Sequence, residues 1–187
     1  MDNIYPVPEA VKERALIDKA GYEEMYARSV EDNEAFWAEM WRCAGIKASI
    51  GYREVVDDLA RFPGADWFPG SRLNFAENLL RYRDDQAALV FRGEDTIRRT
   101  LTYEELFAAT ARVAAAQRQA GVRAGDRVVG FMPTMPDAMI AMLGAASSGA
   151  LWSSSSPDIG VRGVLDRIGQ ISPTVLVTAD GSYFQGK

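Results

Sequence analysis

The chain has 187 residues, 48% of them hydrophobic and 25% charged, and its formal net charge is −5. This composition is typical of a folded domain and excludes a largely disordered chain. The negative charge argues against a nucleic-acid binder, which usually needs a basic surface. The sequence has no histidine and one cysteine, Cys43. Catalysis by Ser-His-Asp or Cys-His, a Cys₄ zinc site and an internal disulfide are therefore excluded within this chain.

The same features predict where the protein works. A chain with a single cysteine suits the reducing cytoplasm. The first ten residues carry two acids, two prolines and no basic residue, unlike a secretory signal. The longest weakly polar stretch, 138–152, is too short and too rich in small residues to span a membrane. We therefore expect a cytoplasmic protein without a membrane partner.

The first part of the chain, 1–83, is predicted to contain helices and irregular connections. Ser29 followed by Asp32 resembles a helix N-cap with an acid in the first turn, and Gly45 stands where a helix often ends. A helix from about Val30 to Ala44 is therefore predicted. Its face carries several large apolar side chains, which are expected to pack rather than to catalyse; these are Phe36, Trp37, Met40 and Trp41.

Residues 61–71 contain the tripeptide Phe-Pro-Gly twice. Two such units so close together cannot form a regular helix or a central strand. We expect an extended, turn-rich segment, called here the strap, with three aromatic side chains to bury, namely Phe62, Trp67 and Phe68. A short helix over about Asn74 to Tyr82 is predicted to follow the strap.

From residue 84 onward the pattern changes to alternating strands and helices. Apolar runs at 87–91 and 98–101 predict a hairpin. Thr102 and Glu105 have capping-box spacing and start a helix that Gly121 ends. Strands at 127–132, 150–153 and 174–178 then alternate with helices starting at Pro136 and Val161. Helices between short buried strands imply parallel strands, so the predicted class is α/β.

Several residue patterns were considered as sites. Gly144 and Gly149 have the spacing of a phosphate loop, but no Lys-Ser/Thr follows, which favours a packing surface. The paired acids Asp57-Asp58 and Asp84-Asp85 are expected to be solvated turn residues. Lys187 is either simply solvated or able to reach an anionic ligand. The residues alone do not choose between these two roles.

The segment 153–158, Ser-Ser-Ser-Ser-Pro-Asp, is the most site-like part of the sequence. It follows a predicted strand at its carboxyl end, where open α/β sheets place ligands. Its hydroxyls and amides either line a ligand groove or cap the next helix. A serine nucleophile is not expected, because the chain has no histidine to act as its base.

A family resemblance emerges from an ordered set of motifs. The segment 67–80 reads Trp-Phe-Pro-Gly-Ser-Arg-Leu-Asn-Phe-Ala-Glu-Asn-Leu-Leu, and matching motifs follow at 88–94, 101–106, 125–129, 132–137, 149–154, 156–158, 164–170 and the closing Gly-Lys. Together they resemble the acetyl-CoA synthetase branch of the adenylate-forming acyl-CoA synthetases, and within it the acetoacetate–CoA ligases. The resemblance covers about 33–187.

The resemblance implies a fold and a reaction. The fold would be a helical cap and strap (1–83) packed on the first βαβαβ part of a mostly parallel sheet (84–187). The family converts ATP and a carboxylic acid, here acetoacetate or another short acid, into an acyl-adenylate that coenzyme A then cleaves, assisted by Mg²⁺. Its Pro-Lys phosphate loop, aromatic-Thr-Glu motif, ribose-binding Asp and late catalytic Lys are absent from this sequence. An N-terminal fragment, inactive alone and without catalytic or metal-binding residues, is therefore expected.

The resemblance also implies a partial coenzyme A site. Ser156, Pro157 and Asp158 correspond to the loop that touches the adenine end of coenzyme A. Phe184 and Lys187 fall on the basic pair that meets the coenzyme A phosphates, and only Lys187 keeps the charge. Phe184 would at most stack or pack. Two other functions remain open: a non-catalytic module that binds coenzyme A, a nucleotide or a protein, and one chain of a split synthetase that a second polypeptide completes.

Overall fold

The computed structural model describes residues 5–94 and 97–181. The chain divides into two compact units, one extending to Arg72 and the other beginning at Leu73. The first unit is helical with an aromatic cluster. The second unit holds the α/β part and the candidate site.

The first unit contains the helices α1 (Glu9–Lys12), α2 (Lys19–Glu31) and α3 (Asn33–Cys43). The predicted helix start near Val30 is wrong. Asp32 ends α2 and caps α3, where its Oδ1 accepts a hydrogen bond from Ala35 N at 3.0 Å. Ser29 lies inside α2 and donates to the carbonyl of Tyr26. The predicted end is confirmed, because Gly45 follows α3 with a φ of 57°.

The aromatic face of α3 packs as predicted, but the strap is less buried than expected. The ring of Trp41 lies 4.7 Å from that of Phe68, and Trp37 meets Trp67 edge-on at 5.9 Å. Phe68 is half-buried. The predicted burial of Trp67 is wrong, since 39% of it is exposed, and Phe62 is almost fully exposed. Trp67 has aromatic neighbours at Trp37 and Phe68, and these contacts leave part of the residue exposed.

Asp57, which precedes the strap, binds two residues of the strap through its side chain. Its Oδ1 accepts hydrogen bonds from Asp66 N at 2.9 Å and Asp58 N at 2.7 Å, and its Oδ2 lies 2.8 Å from an Arg61 nitrogen. The Asp66 N–H, followed by the Asp58 N–H and the Arg61 charge, holds the pKa of Asp57 below its ordinary value. The strap is flanked by the short strands β1 (Ala48–Ile50) and β2 (Arg72–Leu73). Asp57 is therefore a structural acid rather than a merely solvated one.

The second unit opens with α4 (Phe75–Leu79), the strands β3 (Ala87–Gly93) and β4 (Ile97–Thr102), and α5 (Tyr103–Gln119). β3 and β4 pair antiparallel, which confirms the predicted hairpin. The capping box is also confirmed: Thr102 Oγ1 accepts from Glu105 N at 3.1 Å, and Glu105 Oε2 accepts from Thr102 N at 2.9 Å.

The alternating part contains β5 (Arg127–Phe131), α6 (Pro136–Ser147), β6 (Leu151–Ser155), α7 (Val161–Ile168), a 3₁₀ turn (Gly169–Ile171) and β7 (Val175–Thr178). The strands are parallel in the order β6-β5-β7, which confirms the α/β class. The predicted end of β6 at residue 153 is wrong, because β6 continues to Ser155. Gly130 and Phe131 pair with Ser154 and Ser155, so most of the serine run belongs to β6.

The core of this unit lies around α5 and α6. One buried cluster joins α4 and its C-cap to both helices; its members are Ala76, Leu80, Leu106, Ile140 and Leu143. A second cluster joins α6 to one face of the sheet; its members are Val122, Val128 and Ala145, with Trp152, Val175 and Val177 packed against them. The predicted packing role of Gly144 is confirmed, since a Cβ there would lie 3.3 Å from Ala114 N.

Candidate functional site

The candidate site lies at the edge of the sheet where β5, β6 and β7 all end. Because the strands are parallel, their carboxyl ends share this edge. The chain runs from the central β5 to β6 and then crosses to β7 on the other side of β5. Open α/β sheets bind ligands outside the carboxyl ends of their strands.

A small cavity of about 80 Å³ marks this edge. Its lining comes from the ends of β5 and β7 and from the loop after β6; the residues are Phe131, Met132, Pro133, Pro157, Thr178, Ala179 and Gly181. Among the predicted site residues that the structure describes, Pro157 lines this cavity.

The loop after β6 presents the polar groups at this edge. Ser156 and Asp158 are exposed, and the Ser156 hydroxyl donates to the Asp158 carboxylate. The loop is tied back by Ile159 N, which donates to the Ser156 carbonyl at 3.3 Å. The alternative that these side chains cap α7 is wrong, because the N-cap of α7 is Gly160 and no side chain caps it. Both polar side chains therefore remain at the sheet edge.

Two residues of the predicted site, Phe184 and Lys187, lie outside the described residues. The structure brings Ser156, Pro157 and Asp158 together at the end of β6. Their contacts with a ligand stay a prediction.

The positions of β5 and β6 depend on a close contact beneath this edge. The ring of Trp152 lies over Gly130, so that a Cβ on Gly130 would be 2.6 Å and 2.7 Å from two of its ring carbons. Only a residue without a side chain permits this approach. At the strand ends, Met132 N donates to the Ser155 carbonyl at 3.3 Å, directly before the Ser156 loop.

A second cavity, of about 620 Å³, was not predicted from the sequence. It lies between the β3–β4 hairpin, the start of α6 and the end of β7, with Phe91, Ile97, Met135 and Asp180 among its lining residues. Arg99 on β4 pairs with Asp137 on α6 at 3.1 Å in its wall. No spacing pattern could have revealed this pair, because the two residues belong to separate elements 38 positions apart.

Across 5–94 and 97–181, no three His, Cys, Asp or Glu side chains are grouped to hold a metal ion. Over the same ranges, no helix is long and apolar enough to cross a membrane. The sheet edge offers hydroxyl, carboxylate and backbone groups for hydrogen bonds to a ligand.

Two protein families and a solved structure are similar to this chain. Residues 75–186 match the AMP-binding enzyme family, and residues 22–79 match the acetyl-coenzyme A synthetase N-terminus. The structure of the acetoacetyl-CoA synthetase from Streptomyces lividans is similar to this chain, with a TM-score of 0.84 and 39% identity, over 95% of this chain and 28% of that one.

Two acetoacetyl-CoA synthetases are also similar to this chain in sequence. The acetoacetyl-CoA synthetase of Macaca fascicularis is 46% identical over 172 residues, covering 89% of this chain and 25% of its own length. The acetoacetyl-coenzyme A synthetase of Rhizobium meliloti (strain 1021) is 45% identical over 168 residues, covering 90% of this chain and 26% of its own length. The chain thus spans about a quarter of the length of these relatives. Since the AMP-binding match covers more than half of its residues, the chain belongs to the AMP-binding enzyme family.

Proposed function

We propose that this chain is the N-terminal part of an acetoacetate–CoA ligase, with a helical region over 1–83 and the beginning of the AMP-binding domain over 84–187. The observation that carries the proposal is the similarity to acetoacetyl-CoA synthetases along about nine-tenths of the chain. The parallel sheet with a polar loop at its carboxyl edge supports it, because that edge is where such sheets bind substrates.

The proposed reaction has two steps. A carboxylate oxygen of acetoacetate attacks the α-phosphorus of ATP, and diphosphate leaves as acetoacetyl-adenylate forms. The thiol of coenzyme A then attacks the acyl carbon, the bond to AMP breaks, and the thiol proton is released. The described residues hold no acidic cluster that fits Mg²⁺. We therefore assign the metal and ATP contacts to other parts of the ligase and route no step through the metal here.

The role proposed for this chain is to hold coenzyme A. Ser156 and Asp158 offer exposed hydrogen-bonding groups at the end of β6, and Pro157 lines the cavity beside them. The adenine end of coenzyme A would lie against this loop. Lys187 would supply positive charge to the phosphates, and Phe184 a flat ring that stacks or packs.

The partners proposed are small molecules: acetoacetate or another short acid, ATP and coenzyme A. The cytoplasm is the proposed compartment, because one unpaired cysteine suits a reducing environment. A second polypeptide would be needed if the rest of the ligase is a separate chain.

The test uses the native protein purified from cells, with its intact mass measured. Acetoacetate-dependent exchange of diphosphate into ATP is expected of a species several times heavier than this chain. Absence of that exchange in every native species containing the chain would refute the ligase function.

The coenzyme A site is tested separately with Asp158→Ala and Lys187→Ala in that ligase. Each is expected to raise the KM for coenzyme A about tenfold, because uniform binding is lost. The diphosphate exchange should not change, since that step needs no coenzyme A. Asp85→Ala, which removes an exposed acid near Gln86, is the matched control. An unchanged KM in both variants would refute the site and leave the ligase function standing.

A further inference from the structure

The loop Ser156–Asp158 is held to the rest of the protein by few polar contacts. Its two polar side chains bond to each other, and Ile159 N closes the loop on the Ser156 carbonyl. Within the described part of the chain, no hydrogen bond joins residues 156–158 to another element. Pro157 has no N–H with which to continue the pairing of β6 with β5. The position of the loop therefore depends on how Pro157 packs.

Met132, the residue directly after β5, lies beside this loop. It is buried, with 7% of its surface exposed, and its N–H donates to the Ser155 carbonyl at 3.3 Å. Met132 and Pro157 both line the cavity of about 80 Å³ at the sheet edge. Among the described residues that line this cavity, Met132 is the one that is fully buried. Its side chain is therefore a fixed part of the surface on which Pro157 lies.

The Met132 side chain is itself packed on the sheet. A Cβ on Gly130 would lie 3.6 Å from the Met132 sulfur and 2.7 Å from the Trp152 ring. The sulfur and the ring thus approach the same space above Gly130, on the face of the sheet that packs toward α6. Methionine is flexible and fills irregular spaces of this kind. A smaller side chain at position 132 would leave a larger cavity under the loop.

We infer that Met132 is a positioning residue for the Ser156–Asp158 loop, whose polar groups it keeps in the place where they bind coenzyme A. In this role Met132 acts through Pro157 and does not itself touch coenzyme A. The inference rests on the proposed function and adds a residue outside the loop that sets the affinity for coenzyme A. The adenylate-forming step should not depend on Met132, because that step needs no coenzyme A.

The kinetic test compares Met132→Ala with the parent in the native ligase. The KM for coenzyme A should rise about threefold to tenfold, because the loop is no longer held in its binding position. The acetoacetate-dependent exchange of diphosphate should not change. Met132→Leu, which nearly conserves the side-chain volume, should restore the KM of the parent. Met132→Val removes less volume than alanine and should raise the KM in the same direction if the alanine variant does not fold.

A direct measurement of the loop accompanies the kinetics. Amide hydrogen exchange of the segment 155–160, followed by mass spectrometry in the same ligase, should be at least about tenfold faster in Met132→Ala. Leu143→Ala is the matched control, because it removes a buried side chain from the core around α5 and α6 and not from the cavity. Its KM for coenzyme A and its loop exchange should equal those of the parent.

The two measurements separate the inference from the proposed function. An unchanged KM in Met132→Ala, when Asp158→Ala raises it, would overturn the inference. Unchanged loop exchange in Met132→Ala, equal effects in Leu143→Ala, or failure of Met132→Leu to restore the KM would also overturn it. A ligase without acetoacetate-dependent diphosphate exchange would refute the proposed function, and the loop exchange would still decide the role of Met132.

Discussion

The layer formed by α5 and α6 and the layer formed by α7 belong to one compact unit, yet they differ in how their apolar side chains are used. The α6 layer closes over one face of the sheet, with Leu143, Val128 and Ala145 fully buried. The helix α7 has a much more one-sided apolar stripe than α6, which is apolar on most sides, and none of the residues of α7 is buried. The difference teaches that amphipathic spacing predicts which side of a helix packs, whereas burial depends on which partner is present.

The largest effect is expected when a side chain of the closed layer is removed. Leu143→Ala should lower the free energy of unfolding by about 2–5 kcal/mol, because a buried leucine leaves a cavity. Leu165→Ala on α7 should change it by less than about 0.5 kcal/mol, as expected for an exposed position. Urea unfolding of both variants measures the contrast. Equal losses would show that the two layers are equally packed.

Gly130→Ala is expected to lower the free energy of unfolding by a smaller amount. The added Cβ would meet Trp152 at 2.6 Å, and relieving that overlap should cost about 1–3 kcal/mol. Combining it with Trp152→Phe should recover part of the loss, because the smaller ring leaves room. Additive losses in this double-mutant cycle, measured by chemical unfolding, would disprove the contact.

The capping box that begins α5 should contribute less to the free energy of unfolding than the contact between Gly130 and Trp152. Thr102→Ala removes the acceptor for Glu105 N and is expected to cost about 0.5–2 kcal/mol of stability. Thr102→Ser keeps the hydroxyl and is the control. Thermal unfolding should place the serine variant near the parent, and an alanine variant as stable as the serine variant would contradict the prediction.

The smallest change in stability is expected for Asp57→Asn in the first unit, and this change should depend on pH. The folded pKa of Asp57 is lowered, so its carboxylate stabilises the strap above about pH 4, the ordinary range of an aspartate. That contribution is lost as the pH falls through the lower folded value. Asp57→Asn should therefore be less stable than the parent at pH 7 and approach it in acid.

The matched control for Asp57 is Asp58→Asn. The Asp58 side chain is half-exposed, and its contact with Arg61 is longer, at 4.0 Å. Because this variant keeps the Asp57 carboxylate, the acid titration of its unfolding midpoint should follow that of the parent. A difference between the parent and Asp57→Asn that persists unchanged into acid would refute the electrostatic origin.

Much of the α/β unit could be predicted because its signals are local. Thr102 with Glu105, Pro136 and the strand at Val128 and Val129 each depend on neighbours a few positions away. Two errors in element boundaries arose where local signals competed. Ser29 and Asp32 both suit an N-cap, and the carboxylate of Asp32 caps α3. The serine run has the composition of a loop, but pairing with Gly130 and Phe131 extends β6 through it.

One part of the candidate site could be predicted from the sequence, and another part could not. The loop Ser156–Asp158 could be located from the sequence, because it follows a strand and precedes a helix. The cavity walled by Arg99 and Asp137 could not, since it exists only where the hairpin meets the start of α6. The overlap of Trp152 with Gly130 likewise needs the register of β6 against β5.

By itself, the sequence determined the class of the fold, most of its elements and the family to which its motifs point, because turn residues, caps and apolar spacing act over a few residues. Only the tertiary structure decided the strand order β6-β5-β7, the tie of Asp57 across the strap and the exposure of α7. These features depend on contacts between distant residues, and burial is a property of the surroundings of a side chain rather than of its spacing.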